Sequence, residues 1–166
     1  MRIYTHYARI YAFVQSEAAM PKRTDIHRCA CTILRQAARV ATQHFDQALA
    51  TSGLRISQLS ILTTLSYFGS KSINELADVM VLDRTTLGRN LKPLQRDGYI
   101  AVEADKDDRR TKKLVLTKKG SAVALKAMDS WGDAQTSFEK AIGLENAIAL
   151  SKLLRQVVKA DYAKQK

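Results

Sequence analysis

The sequence predicts a mainly α-helical protein with one small β-hairpin, and three observations predict it. Apolar residues recur at helical spacing over most of residues 25–160, and the period switches to alternation only around residues 100–116. The breaks between periodic stretches fall at Ser, Thr, Asp and Gly residues of the kinds that cap helices. At 166 residues and 46% apolar content, the chain is large enough for one domain with its own core, or for one half of an intertwined dimer.

Residues 1–23 form an N-terminal extension in which Ile3, Tyr7, Ile10 and Val14 share helical spacing. An extra aromatic helix and a start-site artefact with Met20 as the true beginning are both open. Ile26, Ile33, Leu34, Ala37, Val40, Ala41, Phe45 and Leu49 then predict a long amphipathic helix over 25–50 behind a Thr24 cap, ended by "TSG". Ser57 is expected to cap a second helix through Tyr67, with Leu59, Leu62 and Leu65 inside. In "SINE", Ser72 and Glu75 have capping-box spacing and open a short helix to about Met80. Asp83 caps the next helix, which runs to Asp97 and stops at Gly98, a residue suited to a left-handed end.

After Gly98, Ile100 and Val102 lie on one face of a strand, and Leu114 and Leu116 on the matching face of its return. The connection, "EADKDDRRTKK", holds nine charged residues in eleven positions. Thr117 caps the final helical stretch, with one stripe of Ala124, Met128, Trp131, Phe138 and Ile142. Beyond the Gly143 break follows a second stripe of Leu144, Ala147, Ile148, Ser151, Leu154, Val157 and Val158. This organisation divides the chain into 1–23, 24–56, 57–117 and 118–166.

Composition narrows the function classes. No stretch approaches the ~18 apolar residues of a membrane span, and the N-terminus lacks a signal-type apolar run, so a soluble, cytoplasmic protein is expected. Cys29 and Cys31 are too close in sequence to staple a secreted scaffold. A formal net charge of +11 favours a polyanionic partner, nucleic acid first. HExxH, GxSxG, P-loop and dinucleotide-binding patterns are all missing, which argues against an enzyme, and no cofactor is expected. The acidic group "DKDD" is interleaved with Lys106, Arg109 and Arg110, which would neutralise a metal site.

The helix opened by Asp83 carries the clearest binding signal. Leu87, Leu91 and Leu94 fall within about 60° of one another on a helical wheel and mark the buried face. Opposite them lie Thr85, Arg89, Lys92 and Arg96, a stripe without an acidic member that begins near the helix N-terminus, beside Arg84 and Thr86. A short helix precedes it across "VLD", which gives helix-turn-helix proportions. Arg89 suits a guanine edge, Thr85 a thymine methyl or a phosphate, and Lys92 and Arg96 the DNA backbone. A helix-turn-helix followed at once by a basic-tipped hairpin is the winged-helix arrangement, in which the hairpin tip reaches the minor groove or backbone.

Residues "SINELADVMVLDRTTLGRNLKPLQRDGYIAVEADKDDRRTKKLVLTKKG" resemble the winged-helix core of the MarR (multiple antibiotic resistance regulator) transcription factors, and the resemblance extends over roughly residues 25–160. Its most specific part is Asp108, one intervening residue and Arg110, leading into "LVLTKKG". The resemblance implies that Asp108 braces the wing while Arg109 and Arg110 supply tip contacts, with Lys112 beginning the returning strand near phosphates together with Lys113. It also implies an obligate homodimer built by the first and the two last helices. A two-fold dimer expects double-stranded DNA with a pseudo-palindromic operator, and a repressor released by a signal. A non-sequence-specific architectural DNA-binding or RNA-binding protein is the alternative.

For the signal, "HRCACTILRQAARVATQHF" leaves several readings open. Cys31 is either a small buried hydrophobe or, at the position the resemblance implies, the reactive thiol of an organic-peroxide sensor, with Cys29 poorly aimed to pair with it. Phe45 stands where that peroxide-sensing branch carries a tyrosine that hydrogen-bonds the thiol. His27, Cys31 and His44 are a weaker metal set. A small phenolic or aromatic effector between the first helix and the winged part is a further reading.

Overall fold

The computed structural model describes residues 29–105, 108 and 110–160. The N-terminal extension, Thr24, Ile26, His27, Lys106 and Arg109 lie outside the described residues. The described elements are α1 (Ala30–Ala48), a 3-10 turn (Leu49–Ser52), α2 (Ile56–Phe68), β1 (Lys71–Ser72), α3 (Ile73–Met80), α4 (Arg84–Arg96), β2 (Ile100–Ala104), β3 (Lys112–Leu116), α5 (Lys118–Ile142) and α6 (Leu144–Lys159). The chain divides into two units between residues 40 and 41.

Local chemistry explains most element ends. Ser72 Oγ accepts the Glu75 amide at 3.3 Å while the Glu75 carboxylate accepts the Ser72 amide at 2.7 Å, the reciprocal box expected at the head of α3. Thr117 accepts the Gly120 amide at 2.9 Å and starts α5. Gly53 (φ 72°) and Gly98 (φ 72°) take the left-handed conformation where the preceding helices stop.

Three expected boundaries are corrected. Cys29 precedes the first helix instead of lying in it, and α1 gives way to a 3-10 turn at Leu49. The second helix starts at Ile56 behind Arg55, not behind Ser57. The Gln58 side chain accepts the Arg55 amide at 2.9 Å and Asp46 Oδ1 accepts the Ile56 amide at 2.7 Å, so the cap comes from outside the expected position. Val102 is 48% exposed although it faces buried Leu114, because burial falls off along β2 as the hairpin leaves the core.

The turn between α3 and α4 has no glycine. Val81 takes φ 53° there, and Leu82 N donates to Ala77 O at 2.9 Å across it, closing a Schellman-type end. A β-branched residue in this region carries a cost of about 1–2 kcal/mol, so the surrounding packing imposes the turn.

The core gathers Leu59, Ile61 and Leu62 of α2, Leu76 of α3, Leu87 and Leu94 of α4, and Ile100 and Leu114 of the sheet, with Ala124 and Ala127 of α5 against them. The sheet has the order β1–β3–β2, all antiparallel, with Ile100 opposite Leu116 and Val102 opposite Leu114. β1, two residues long, adds Ser72 opposite Lys113 and is too short for any periodic signal. α1 buries no residue and exposes Ile33 and Val40; α6 buries only Ala147 and exposes Leu144, Ile148, Leu153 and Val158. No helix among the described residues is long and apolar enough to cross a membrane.

Candidate nucleic-acid interface

α4 is set by its N-cap and its leucines. Asp83 Oδ1 accepts the Thr86 amide at 2.8 Å and Oδ2 accepts the Thr86 hydroxyl at 2.6 Å, which holds the Asp83 carboxyl below the ordinary carboxylate range. Leu87, Leu91 and Leu94 are 0–3% exposed and anchor the helix to the core. Asn90 Oδ1 accepts the Ser57 hydroxyl at 3.1 Å, tying α4 sideways to α2. Pro93 sits inside the helix, where it has no amide to give to the Arg89 carbonyl, so that carbonyl is left for another donor.

With the leucines inward, Arg84, Thr85, Arg89, Lys92 and Arg96 are all exposed. One member of the expected stripe, Arg96, and the neighbouring Thr86 are already engaged. The Thr86 hydroxyl serves the Asp83 cap, so Thr86 supports the helix start instead of standing free to reach a base. Arg96 Nε donates to Asp97 Oδ1 at 2.8 Å and its Nη2 to Oδ2 at 3.2 Å. The fork uses two of the five guanidinium N–H donors and leaves the others, on a side chain 75% exposed, for a phosphate.

The hairpin tip is organised by carboxylates acting as acceptors. Asp108 Oδ1 accepts the Arg110 amide at 3.0 Å and Oδ2 accepts the Thr111 hydroxyl at 3.0 Å, while Asp105 Oδ1 accepts the Asp108 amide at 3.2 Å. Asp108 therefore shapes the backbone that carries Arg110 and does so through the arginine's amide. Arg110 and Lys112 are exposed.

Lys113, expected near phosphates, is instead turned inward. Its ammonium donates to Glu75 Oε2 at 2.9 Å and lies 3.5 Å from Asp105 Oδ2, with its side chain 21% exposed. The Lys113 hydrogen bond, together with the Ser72 amide, pushes the Glu75 carboxyl down to about 2. A depressed carboxylate contributes above its ordinary pKa and loses that contribution as pH falls toward the depressed value, so the link is complete at neutral pH. Sequence reasoning missed Glu75, Asn90 and Ser57 as parts of this surface, and assigned Lys113 to phosphates instead of to the Glu75 carboxylate. Only the capping-box spacing of Glu75 gave any signal.

Cys31 is exposed in the single chain. At Cys29, the Thr32 amide, the Thr32 hydroxyl and the Cys31 amide hold the thiol below its ordinary value. His44 Nε2 donates to the Ala134 carbonyl at 2.9 Å and its ring meets Phe45 edge-on, while Phe45 approaches Phe138. These are packing roles, and no group of three His, Cys, Asp or Glu able to hold a metal occurs among the described residues. A groove of about 380 Å³ is lined by Thr63, Ser66, Tyr67, Leu116, Leu125 and Met128 among others.

Comparison with known proteins gives this geometry a context. The model of the MarR family matches residues 54–112, which run from α2 to the start of β3. The HTH-type transcriptional regulator Hpr of Bacillus cytotoxicus is 28% identical over 126 residues, covering 71% of this chain and 68% of that protein. The M. tuberculosis transcriptional regulator MosR, solved in complex with DNA, is 35% identical over 80% of this chain and 100% of that one, with a TM-score of 0.65. BpsR of Bordetella bronchiseptica shares the fold at a TM-score of 0.75 and 23% identity, covering 86% of this chain and 100% of that one.

Proposed function

This chain belongs to the MarR family of winged-helix transcription regulators, and from that premise we propose that it is a repressor that binds a pseudo-palindromic operator as a homodimer in the cytoplasm. The observation that carries the reading is the exposed row of Thr85, Arg89 and Lys92 on a helix whose leucines are locked inward, with Arg110 exposed on the neighbouring hairpin tip. α4 enters the major groove, where Arg89 addresses a guanine edge and Lys92 a phosphate. Arg110 and Arg109 reach the flanking minor groove or backbone. Homodimerisation is supported by α1 and α6, whose exposed Ile33, Val40, Leu144 and Ile148 would be costly to leave in water.

Selection of bound duplexes from a random pool tests the reading. The expected product is a two-fold sequence with half-sites roughly 10 base pairs apart. Enrichment of no sequence over random duplex, or equal binding of single-stranded RNA, would replace it with an architectural or RNA-binding role.

Release is assigned to a small aromatic or phenolic effector in the Tyr67–Met128 groove or to oxidation by an organic peroxide at the exposed Cys31, with Cys29 two residues before it. Cys29→Ser and Cys31→Ser separate the two. Under the oxidative reading, peroxide releases wild type from its operator and leaves Cys31→Ser bound. Release of both variants at the wild-type peroxide concentration excludes the thiols and assigns the signal to the groove.

A further inference from the structure

A continuous run of polar contacts joins the first helix of the helix-turn-helix to the wing tip. It starts at the head of α3, where one oxygen of Glu75, Oε2, accepts both the Ser72 amide at 2.7 Å and the Lys113 ammonium at 2.9 Å. Lys113 stands opposite Ser72 across the β1–β3 pair, which brings its side chain over the α3 cap. The same ammonium lies 3.5 Å from Asp105 Oδ2 at the base of the wing. Asp105 accepts the Asp108 amide, and Asp108 accepts the Arg110 amide.

We infer that Lys113 and Glu75 are positioning residues for DNA recognition, holding the wing and its Arg110 at a fixed offset from the helix-turn-helix. The inference rests on the functional reading above and adds two residues that do not themselves touch DNA. The alternative for Lys113 is a phosphate contact, which its inward aim opposes. Its side chain is only 21% exposed, and Asp105 only 18%, so the cation is shared between two carboxylates and has little room for a third anion. Glu75 makes the inference discriminating. It is an anion on a DNA-binding unit, so simple electrostatics predicts that neutralising it strengthens binding, whereas positioning predicts the opposite sign.

The test uses the full chain and a fluorescent duplex from the selection above, with Glu75→Gln, Lys113→Met and their double variant, each with and without Arg110→Ala. Glu75→Gln and Lys113→Met are each expected to weaken operator binding by about tenfold, with the double variant no weaker than either alone. Arg110→Ala is expected to cost several-fold less in the Lys113→Met background than in wild type, because the arginine is already displaced. A loss of packing alone would not change the cost of Arg110→Ala. Lys113→Arg is expected to restore binding.

Amide exchange without DNA gives a second, independent readout: residues 105–111 should exchange about tenfold faster in Lys113→Met while α4 remains as protected as in wild type. Glu75→Gln binding as tightly as wild type or tighter, undiminished Arg110→Ala cost, or unchanged exchange at 105–111 each overturns the inference. Failure of wild type to select any operator overturns the functional reading, and the exchange result then decides whether the link holds the wing.

Discussion

Alanine at Gly120 is expected to destabilise the protein by about 3 kcal/mol. Gly120 lies in the first turn of α5, where a Cβ would run into the Tyr99 carbonyl oxygen and stand 2.9 Å from Leu116 Cδ1. The backbone cannot simply back away. Tyr99 O accepts the Thr117 amide at 3.1 Å and its hydroxyl at 3.2 Å, and Thr117 in turn caps α5 through the Gly120 amide. Inserting a methyl group therefore pushes apart the joint between α5 and the start of β2.

The expected fall in melting temperature is roughly 6–12 °C for a chain of this size. Gly132→Ala in the same helix is the control: no atom lies within 4 Å of its added Cβ, so the better helix former should be neutral or stabilising by up to about 1 kcal/mol. Equal melting of the two variants in a circular-dichroism scan would show that the contact at Tyr99 is not tight.

Arg89→Ala and Arg110→Ala are expected to weaken operator binding by about ten- to a hundredfold each, while both proteins keep the wild-type melting temperature and dimeric state. Both side chains are exposed and neither belongs to the core, so folding should not register their loss. The two losses should differ in kind. Arg89 is exposed on α4, the helix proposed to enter the major groove, so its removal should relax preference at one position of each half-site. Arg110 sits on the wing, so its removal should weaken all sequences more evenly and lower the slope of log affinity against log salt by about one. Binding assays on the selected site and its single-base variants, at several salt concentrations, separate the two. Unchanged affinity for both variants would mean that α4 and the wing are not the reading surface.

Much of the candidate interface's local structure was legible in the sequence because its signals are local. Asp83 and Thr86, or Ser72 and Glu75, are three residues apart, and the backbone brings them together as soon as a helix starts. The inward leucines of α4 follow from the 3.6-residue period, and the same period places Arg89 and Lys92 outward. The hairpin register also follows from alternation, since Ile100 and Leu116 must share a face.

Where expectation failed, distant residues competed for the same group. Arg55 replaced Ser57 as the cap of α2 because Asp46, ten residues away, reached the Ile56 amide.

The sequence by itself determined the helical and hairpin periods, most of the helix caps and the choice of α4 as the basic helix, all consequences of contacts within a few residues. Only the tertiary structure decided which charges remain available. Lys113 and Glu75 are 38 residues apart, and His44 and Ala134 are 90 apart, so no periodicity could pair them. The physical reason is that an ammonium or an imidazole bonds whichever acceptor the fold brings within about 3 Å. In the run "EADKDDRRTKK", Lys112 and Lys113 looked alike in sequence, and packing against α3 left the first exposed and turned the second inward as a support.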